Sequence, residues 1–454
     1  MEENMGAKIL ELLKAKKKKE LHELLSQENC ADIAAEIETL LEDEEITREE
    51  LLVLFRILPK DIASDTFVEM AVDTQEILIK GFNDKELREV LDDLFLDDTV
   101  DIIEEMPANV VKRILQSVDA DTRKSINQLL NYPEDSAGSI MTIEYVDLKK
   151  TMTVEQSFAR IRKTGVDKET IYTCYVTDKN RKLLGLVSVK DLLLAQYEDV
   201  IDDIMEENII SVNTCDDQEV VAQMFSKYDF IALPVVDSEG RLVGIITVDD
   251  AIDVMQEEFT EDIEKMNAIV PTDKPYLKMT TFELWKARIP WLLLLMVSAT
   301  FTGMIISSFE VALAAQVALV AYIPMLMDTG GNSGSQSSVT VIRGLSLGEV
   351  EFSDWLKIIW KEARVAVVCG ITLAAANFVK LMLFDRVGLM VSLAVNLTLI
   401  LTVFVAKIVG CTLPMISKKM GFDPAVMSAP FITTIVDAIS LLVYFTIAQA
   451  ILGL

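Results

Sequence analysis

Twenty consecutive residues, Pro290–Phe309, carry no charge. A helix of that length spans about 30 Å, the thickness of a bilayer's hydrocarbon core. Val387–Ala406 repeats the pattern, Val365–Phe384 carries one lysine, and Pro424–Leu454 carries a single charge, Asp437. A further apolar run, Leu313–Met327, leads into PMLMDTGGNSGSQSSV. Backbone groups inside lipid must be hydrogen-bonded internally, so residues 276–454 are expected to form an α-helical membrane domain with five transmembrane helices. Before the first of these stretches the chain lacks the apolar core of a secretory signal. This predicts a cytoplasmic N-terminus and, after five crossings, a C-terminus outside. The loop charges agree. Lys286, Arg288, Arg343, Lys357, Lys361, Arg364, Lys418 and Lys419 fall on the inner flanks, and only Lys380 and Arg386 on the outer ones.

The remainder is polar and one-signed. The first 275 residues hold 62 acids against 30 bases, within a chain of 454 residues whose formal charge is −30. Such a front repels nucleic acid and suits cations. Five scattered cysteines and a lone histidine, His22, give neither a zinc site nor a disulfide scaffold. No nucleophile–base pair suggests an enzyme.

Residues 1–132 read as short amphipathic helices about a dozen residues apart. FNDKELREVLDDL, FLDDTVDIIEEM and MPANVVKRILQSV each open on turn or cap residues. This spacing predicts an all-α superhelical N-domain. Residues 133–256 contain a repeat: CYVTDKNRKLLGLVSVKDLL aligns with LPVVDSEGRLVGIITVDDAI at a constant offset of 59. Val176 matches Val235, Asp178 Asp237, Gly185 Gly244 and Asp191 Asp250. With the helices VEQSFARIRKT and QEVVAQMFSKY, each unit is a β-α-β-β-α module. The pair resembles tandem cystathionine-β-synthase-type (CBS) domains. That likeness implies a regulatory α/β module for adenine nucleotides or metal ions, with Asp191 and Asp250 where the ribose-binding acid falls. The same aspartates also suit helix N-capping. Residues 257–275 then begin as a helix, EEFTEDIEKMNAI.

Within the membrane half, Asp437 in PFITTIVDAISLLVYF constrains function most. A carboxylate near mid-span costs about 3 kcal/mol on insertion scales, so it must face protein or water. Thr433 and Ser440 share its helical face, with Pro430 and Thr434 near. No His or Cys lies close by, which leaves a hard cation that keeps most of its water, as Mg²⁺ does. The glycine-rich motif lacks the lysine of a phosphate-binding loop. Two compatible readings remain for it. Gly330, Gly334 and Ser338 recur every fourth residue as packing contacts, while Asn332 and Gln336 face water in a pore lining.

Taken together, YPEDSAGSIMT, the acidic TVDDAIDVMQEEFTEDIEK, PxxxxxGGNSGSQSSxxxIRGL and the last-span TTIVDA resemble the MgtE magnesium channels over essentially the whole chain. The resemblance implies a homodimer in a bacterial cell membrane, with a helical N-domain, a CBS pair, a connecting plug helix and five membrane helices. It further implies a Mg²⁺-selective pore closed by intracellular Mg²⁺. Asp437 matches the pore aspartate, with Asn332, Gln336, Thr433 and Pro430 lining its path. The Mg²⁺ sensor acids match Asp97 and Asp101, then Glu219, Asp229, Asp250 and Asp253, and then Glu258, Glu261 and Asp262. Four positions depart from the pattern. Ala429 stands where an asparagine is expected, and Asp328 adds an intramembrane acid. Thr173 and Lys190 replace an aromatic residue and an arginine used for nucleotide, which argues against ATP at Asp191. The rival reading is a membrane-anchored sensor of divalent cations or nucleotides that carries no flux; an anchor needs neither Asp437 nor a polar glycine-rich span.

Overall fold

The computed structural model describes residues 5–272, 274, 276–427 and 429–453. They fall into two compact units, Met1–Val254 and Met255–Leu454.

Among the described residues, the first unit opens with ten helices of 8–13 residues, from α1 (Met5–Lys14) to α10 (Ala120–Leu129). Helices this short are marginal alone, so their apolar stripes hold them. Phe55, Phe67 and Phe82 come from successive turns of the array, with ring centroids 5.2–6.4 Å apart. Capping boxes at Thr47/Glu50 and Asn83/Glu86 fix two helix starts.

Two three-stranded sheets follow. β1 (Val146–Lys149) is parallel to β2 (Thr173–Thr177), and β2 antiparallel to β3 (Leu183–Ser188). β4 (Val212–Asn213), β5 (Ala232–Val236) and β6 (Leu242–Thr247) repeat this order. With α11 (Val154–Thr164), α12 (Val189–Leu194), the single turn α13 (Ile201–Ile204), α14 (Gln218–Tyr228) and α15 (Val248–Met266) they form the two β-α-β-β-α modules that the 59-residue repeat predicts. Each module lends its leading segment to the other. Thr142 bridges Ile245 on β6, and Glu206 bridges Leu186 on β3. The repeated glycine sits at each crossing. A Cβ on Gly185 would lie 2.7 Å from Met205 Sδ, and one on Gly244 2.7 Å from the Thr142 carbonyl oxygen.

In the second unit, α16 (Thr281–Ser308), α19 (Trp355–Lys380), α20 (Leu389–Lys419) and α21 (Ala429–Leu452) are long and apolar enough to cross a membrane. Short α17 (Glu310–Ala315) precedes α18 (Ile323–Ser346), whose 24 residues contain the whole glycine-rich motif. The apolar run Leu313–Met327 is therefore not one span. Its first part is the end of α17 and a 3-10 turn, and the long helix starts beside Pro324, where a missing N–H costs nothing. The stretch expected to end at Ala406 instead continues as helix to Lys419.

Glycine disfavours helix by about 1 kcal/mol relative to alanine, and close packing offsets this in α18. A Cβ on Gly331 would meet Thr433 Cγ2 at 2.8 Å, and one on Gly410 of α20 would collide with the Gly334 carbonyl oxygen. Gly410→Ala is accordingly expected to force α18 and α20 apart and sharply reduce the yield of monodisperse protein on size exclusion. Gly303→Ala is the control, since nothing lies within 4 Å of its added methyl.

Candidate functional site

Two constellations carry chemistry, one in each unit. In the membrane unit, Asp437 lies half-buried on α21 and its Oδ1 has no hydrogen-bond partner. Thr433 and Thr434 donate to the Pro430 carbonyl at 2.8 and 2.9 Å, which leaves their oxygens free to accept. Gly330 lets α18 approach this layer, since its Cβ would lie 3.2 Å from Ser440 Oγ. On α18 the buried face is Gly330, Gly331, Ser333, Gly334, Ser337 and Ser338. The opposite face exposes Asp328, Asn332, Gln336 and Thr340, one residue per turn. Asp328 is close enough to Asp437 for the two carboxylates to repel. A polar row of this kind cannot face lipid.

Beside that layer stands an ion pair the sequence did not announce. Lys407 of α20 is 4% exposed. Its Nζ lies 3.8 Å from Glu362 of α19 and 3.3 Å from Ser337 Oγ of α18, and Ser337 donates to Glu362 at 2.6 Å. Three helices thus meet at one buried charge pair. Lys407→Met leaves Glu362 uncompensated and is expected to cost about 3–5 kcal/mol. Adding Glu362→Gln should recover most of it in a double-mutant cycle followed by thermal unfolding.

The C-terminal half of α15 is tied to the same unit. Lys265 bridges Glu261 at 2.6 Å and Asp423 at 2.7 Å, Asp262 accepts from Ser346 at 3.0 Å, and Arg343 lies over the Phe259 ring. Burial alone would lower the Lys265 ammonium; its bonds to Asp423 and Glu261 outweigh that and push it up to about 12. Two of the acids expected to sense metal, Glu261 and Asp262, therefore already have protein partners. Glu258 is half-buried on the same helix.

In the first unit, α8 (Leu96–Glu105) opens on acids that face the modules. Glu144, just before β1, accepts from the Leu96 backbone N–H at 3.0 Å and so caps α8. Around this contact Asp97, Asp98, Asp101, Glu144, Glu169, Asp249 and Asp250 repel one another. Asp97 is 7% exposed, and neither its Oδ1 nor Glu169 Oε2 has a hydrogen-bond partner. Desolvation, then Asp250, pushes Asp97 well up, Asp98 to about 7 and Glu169 to about 8. The same causes raise Asp101 to about 7, although it keeps solvent access at the rim, where screening weakens the repulsion. Asp250 and Asp253 are also raised, chiefly by desolvation. Among the described residues, no three carboxylates converge as a ready-made metal-ligand set. The orphaned oxygens and crowded charge still suit a cation that binds through its waters.

This crevice unites Asp97, Asp101 and Asp250 from the sequence reading with Asp98, Glu144, Glu169 and Asp249, which that reading did not single out as ligands. Glu219 is half-buried on α14, bonded by Gln223. Asp229 is exposed at the helix end with φ 55°. Asp191 makes a capping box with Ser188, and Asp250 bonds Thr247 in the same way. Capping thus describes both aspartates.

A family described as divalent cation transporter (MgtE) matches residues 323–447, the MgtE intracellular N domain matches 28–135, and CBS domains match 137–198 and 201–257. The magnesium transporter MgtE of Thermus thermophilus is 37% identical over 456 residues, 100% of this chain and 99% of the relative. That of Bacillus subtilis is 34% identical over 87% of this chain and 86% of its own length. The solved cytosolic domain of the Mg²⁺ channel MgtE in complex with ATP superposes with a TM-score of 0.51 at 37% identity, covering 55% of this chain and 99% of that one. These matches run through N-domain, CBS pair and helical membrane domain in the order found here, and the chain belongs to the MgtE family of divalent cation transporters.

Proposed function

We propose that this chain is a Mg²⁺-selective channel of a bacterial inner membrane, a homodimer whose pore closes when intracellular Mg²⁺ fills its acidic cytoplasmic part. The observation that carries this reading is the layer at Asp437. There an unpartnered carboxylate oxygen on α21 lies within electrostatic reach of Asp328, the first residue of the exposed row Asp328–Asn332–Gln336 of α18. Four apolar spans plus α18 as a fifth keep the N-terminus inside and the C-terminus outside. The polar face of α18 then needs water or a second copy beside it. A two-fold axis would bring two Asp437 side chains together, enough to offset a divalent charge while the ion keeps its waters. Asp328 joins them as a further acid on the path.

The crevice supplies the gate. Without divalent ions its carboxylates repel and loosen α8 from the modules. Mg²⁺ cancels that repulsion and favours the docked state, and α15 acts as the plug that carries the change to the pore. Glu219, Asp229, Asp253 and Glu258 add sensor charge around it. The relative solved with ATP makes an adenine nucleotide a second ligand to test at Asp191, whose cap engages only Oδ2 and leaves Oδ1 for a ribose hydroxyl; Thr173 and Lys190, in place of an aromatic ring and a guanidinium, predict weak binding there. The test is Mg²⁺ uptake by proteoliposomes at low and millimolar internal Mg²⁺. Uptake suppressed at the higher level supports the channel; no uptake at either leaves the sensor without flux.

A further inference from the structure

The strongly acidic front contains a cavity of the opposite sign. It measures about 380 Å³ and lies where β1, α11 and the β2–β3 turn meet, walled by Tyr145, Asp147, Arg160, Lys168, Thr177 and Arg181. Asp147 is occupied by Arg160 and by Lys149 at 3.2 Å. Lys168 and Arg181 take part in no ion pair among the described residues. The lining thus carries three cations and one carboxylate, a net of +2. Lys149 also donates to Thr177 Oγ1 at 2.7 Å, so the Thr177 proton is left for another acceptor.

Arg181 sits in the left-handed region, at φ 65°. Its turn is the repeat of a turn in the second module. Asp178 accepts from the N–H of Asn180 and Lys182, and Asp237 accepts from Glu239 and Arg241 in the same pattern. At the position 59 residues after Arg181 stands Gly240, at φ 75°. The turn therefore requires a positive φ, which glycine adopts freely and arginine does not. The first module keeps a strained arginine there, and strain of this kind gathers at functional sites. The guanidinium donates to Tyr145 Oη at 2.9 Å, whose own proton goes to the Leu242 carbonyl. That chain fixes Arg181 on the wall of this cavity. It also borders a second cavity of about 400 Å³, lined by Lys179 and Arg241.

We propose that this cavity binds a small anion carrying phosphoryl groups, held by the forked N–H donors of Arg181, the Arg160 Nη1 group that Asp147 leaves unengaged, the Lys168 ammonium and the Thr177 hydroxyl. The site is separate from Asp191. Arg181 precedes β3 and Asp191 follows it, so a six-residue strand, roughly 17–20 Å long, stands between them.

The test is calorimetric titration of inorganic pyrophosphate into the detergent-purified full chain in divalent-free buffer. The parent should bind about one equivalent per chain, more weakly at high salt. Arg181→Gly copies the second module, so it should lower affinity at least tenfold while the melting temperature holds or rises. Lys168→Gln should weaken binding without loss of fold, and Asp191→Asn should bind as the parent does. Absence of saturable binding by the parent overturns the proposal, as does parental affinity in Arg181→Gly. Competition by ATP that disappears in Asp191→Asn overturns it too, because the cavity would then be the phosphate end of a nucleotide site.

Discussion

Proteoliposomes bearing Asp437→Ala are expected to lose Mg²⁺ uptake by about a hundredfold, the equivalent of roughly 3 kcal/mol in stabilising the ion on its path. Asp437→Asn sharpens the experiment, because it keeps the shape and removes the charge. The Asp437 Oδ1 has no partner to offset its desolvation, and a charge taken out of water without one weakens a fold. Asp437→Asn should therefore melt at the parental temperature or above while uptake falls. A merely structural acid would show the reverse, with lower melting and flux preserved in whatever protein folds. Asp328→Asn should lower uptake by about tenfold, since Asp328 is more exposed and acts on the ion from the next helix. Equal uptake by parent and Asp437→Ala would sink the pore assignment.

Much of this architecture is written in local patterns. The offset of 59 between the modules survives folding because each glycine, turn aspartate and capping aspartate answers a local steric demand. Apolar length located four of the long membrane helices, and Asp437 stood out because a lone acid in a span has few structural explanations. The glycine-rich motif was harder. Its composition suits a turn, yet α18 is helical throughout, and the reason lies in the neighbours that its glycines admit. Lys407 lies one residue past the apolar stretch that ends at Ala406, so linear reading left it outside the membrane. Only the length of α20 and the contacts to Ser337 and Glu362 make it a buried charge. Glu144 and Glu169 gave no signal for a related reason. They sit in loops before strands, and their role depends on how the module segments fold back towards α8.

Protons should replace Mg²⁺ at the acidic crevice, and in a definite direction. Asp98 and Glu169 are raised to about 7 and about 8 in the docked arrangement, chiefly by desolvation and then by Asp250. The docked state thus binds more protons than the separated one. Its stability is fullest below the ordinary carboxylate range, near pH 4, and is lost as pH rises through 7 and 8. Hydrogen exchange along α8 of the full chain, in divalent-free buffer and taken relative to the intrinsic amide rate at each pH, should accordingly slow by up to about tenfold per pH unit for each net proton taken up between pH 8 and pH 6. Millimolar Mg²⁺ at pH 8 should slow it comparably. The double variant Asp98→Asn, Glu169→Gln removes two of the repelling charges. It should be protected at pH 8 without Mg²⁺, respond little to acid, and need less internal Mg²⁺ to suppress uptake. If the repulsion does not hold the gate open, α8 in the variant will exchange as it does in the parent at every pH. The acids would then be an ordinary solvated face, and the sensor would have to lie elsewhere on the front.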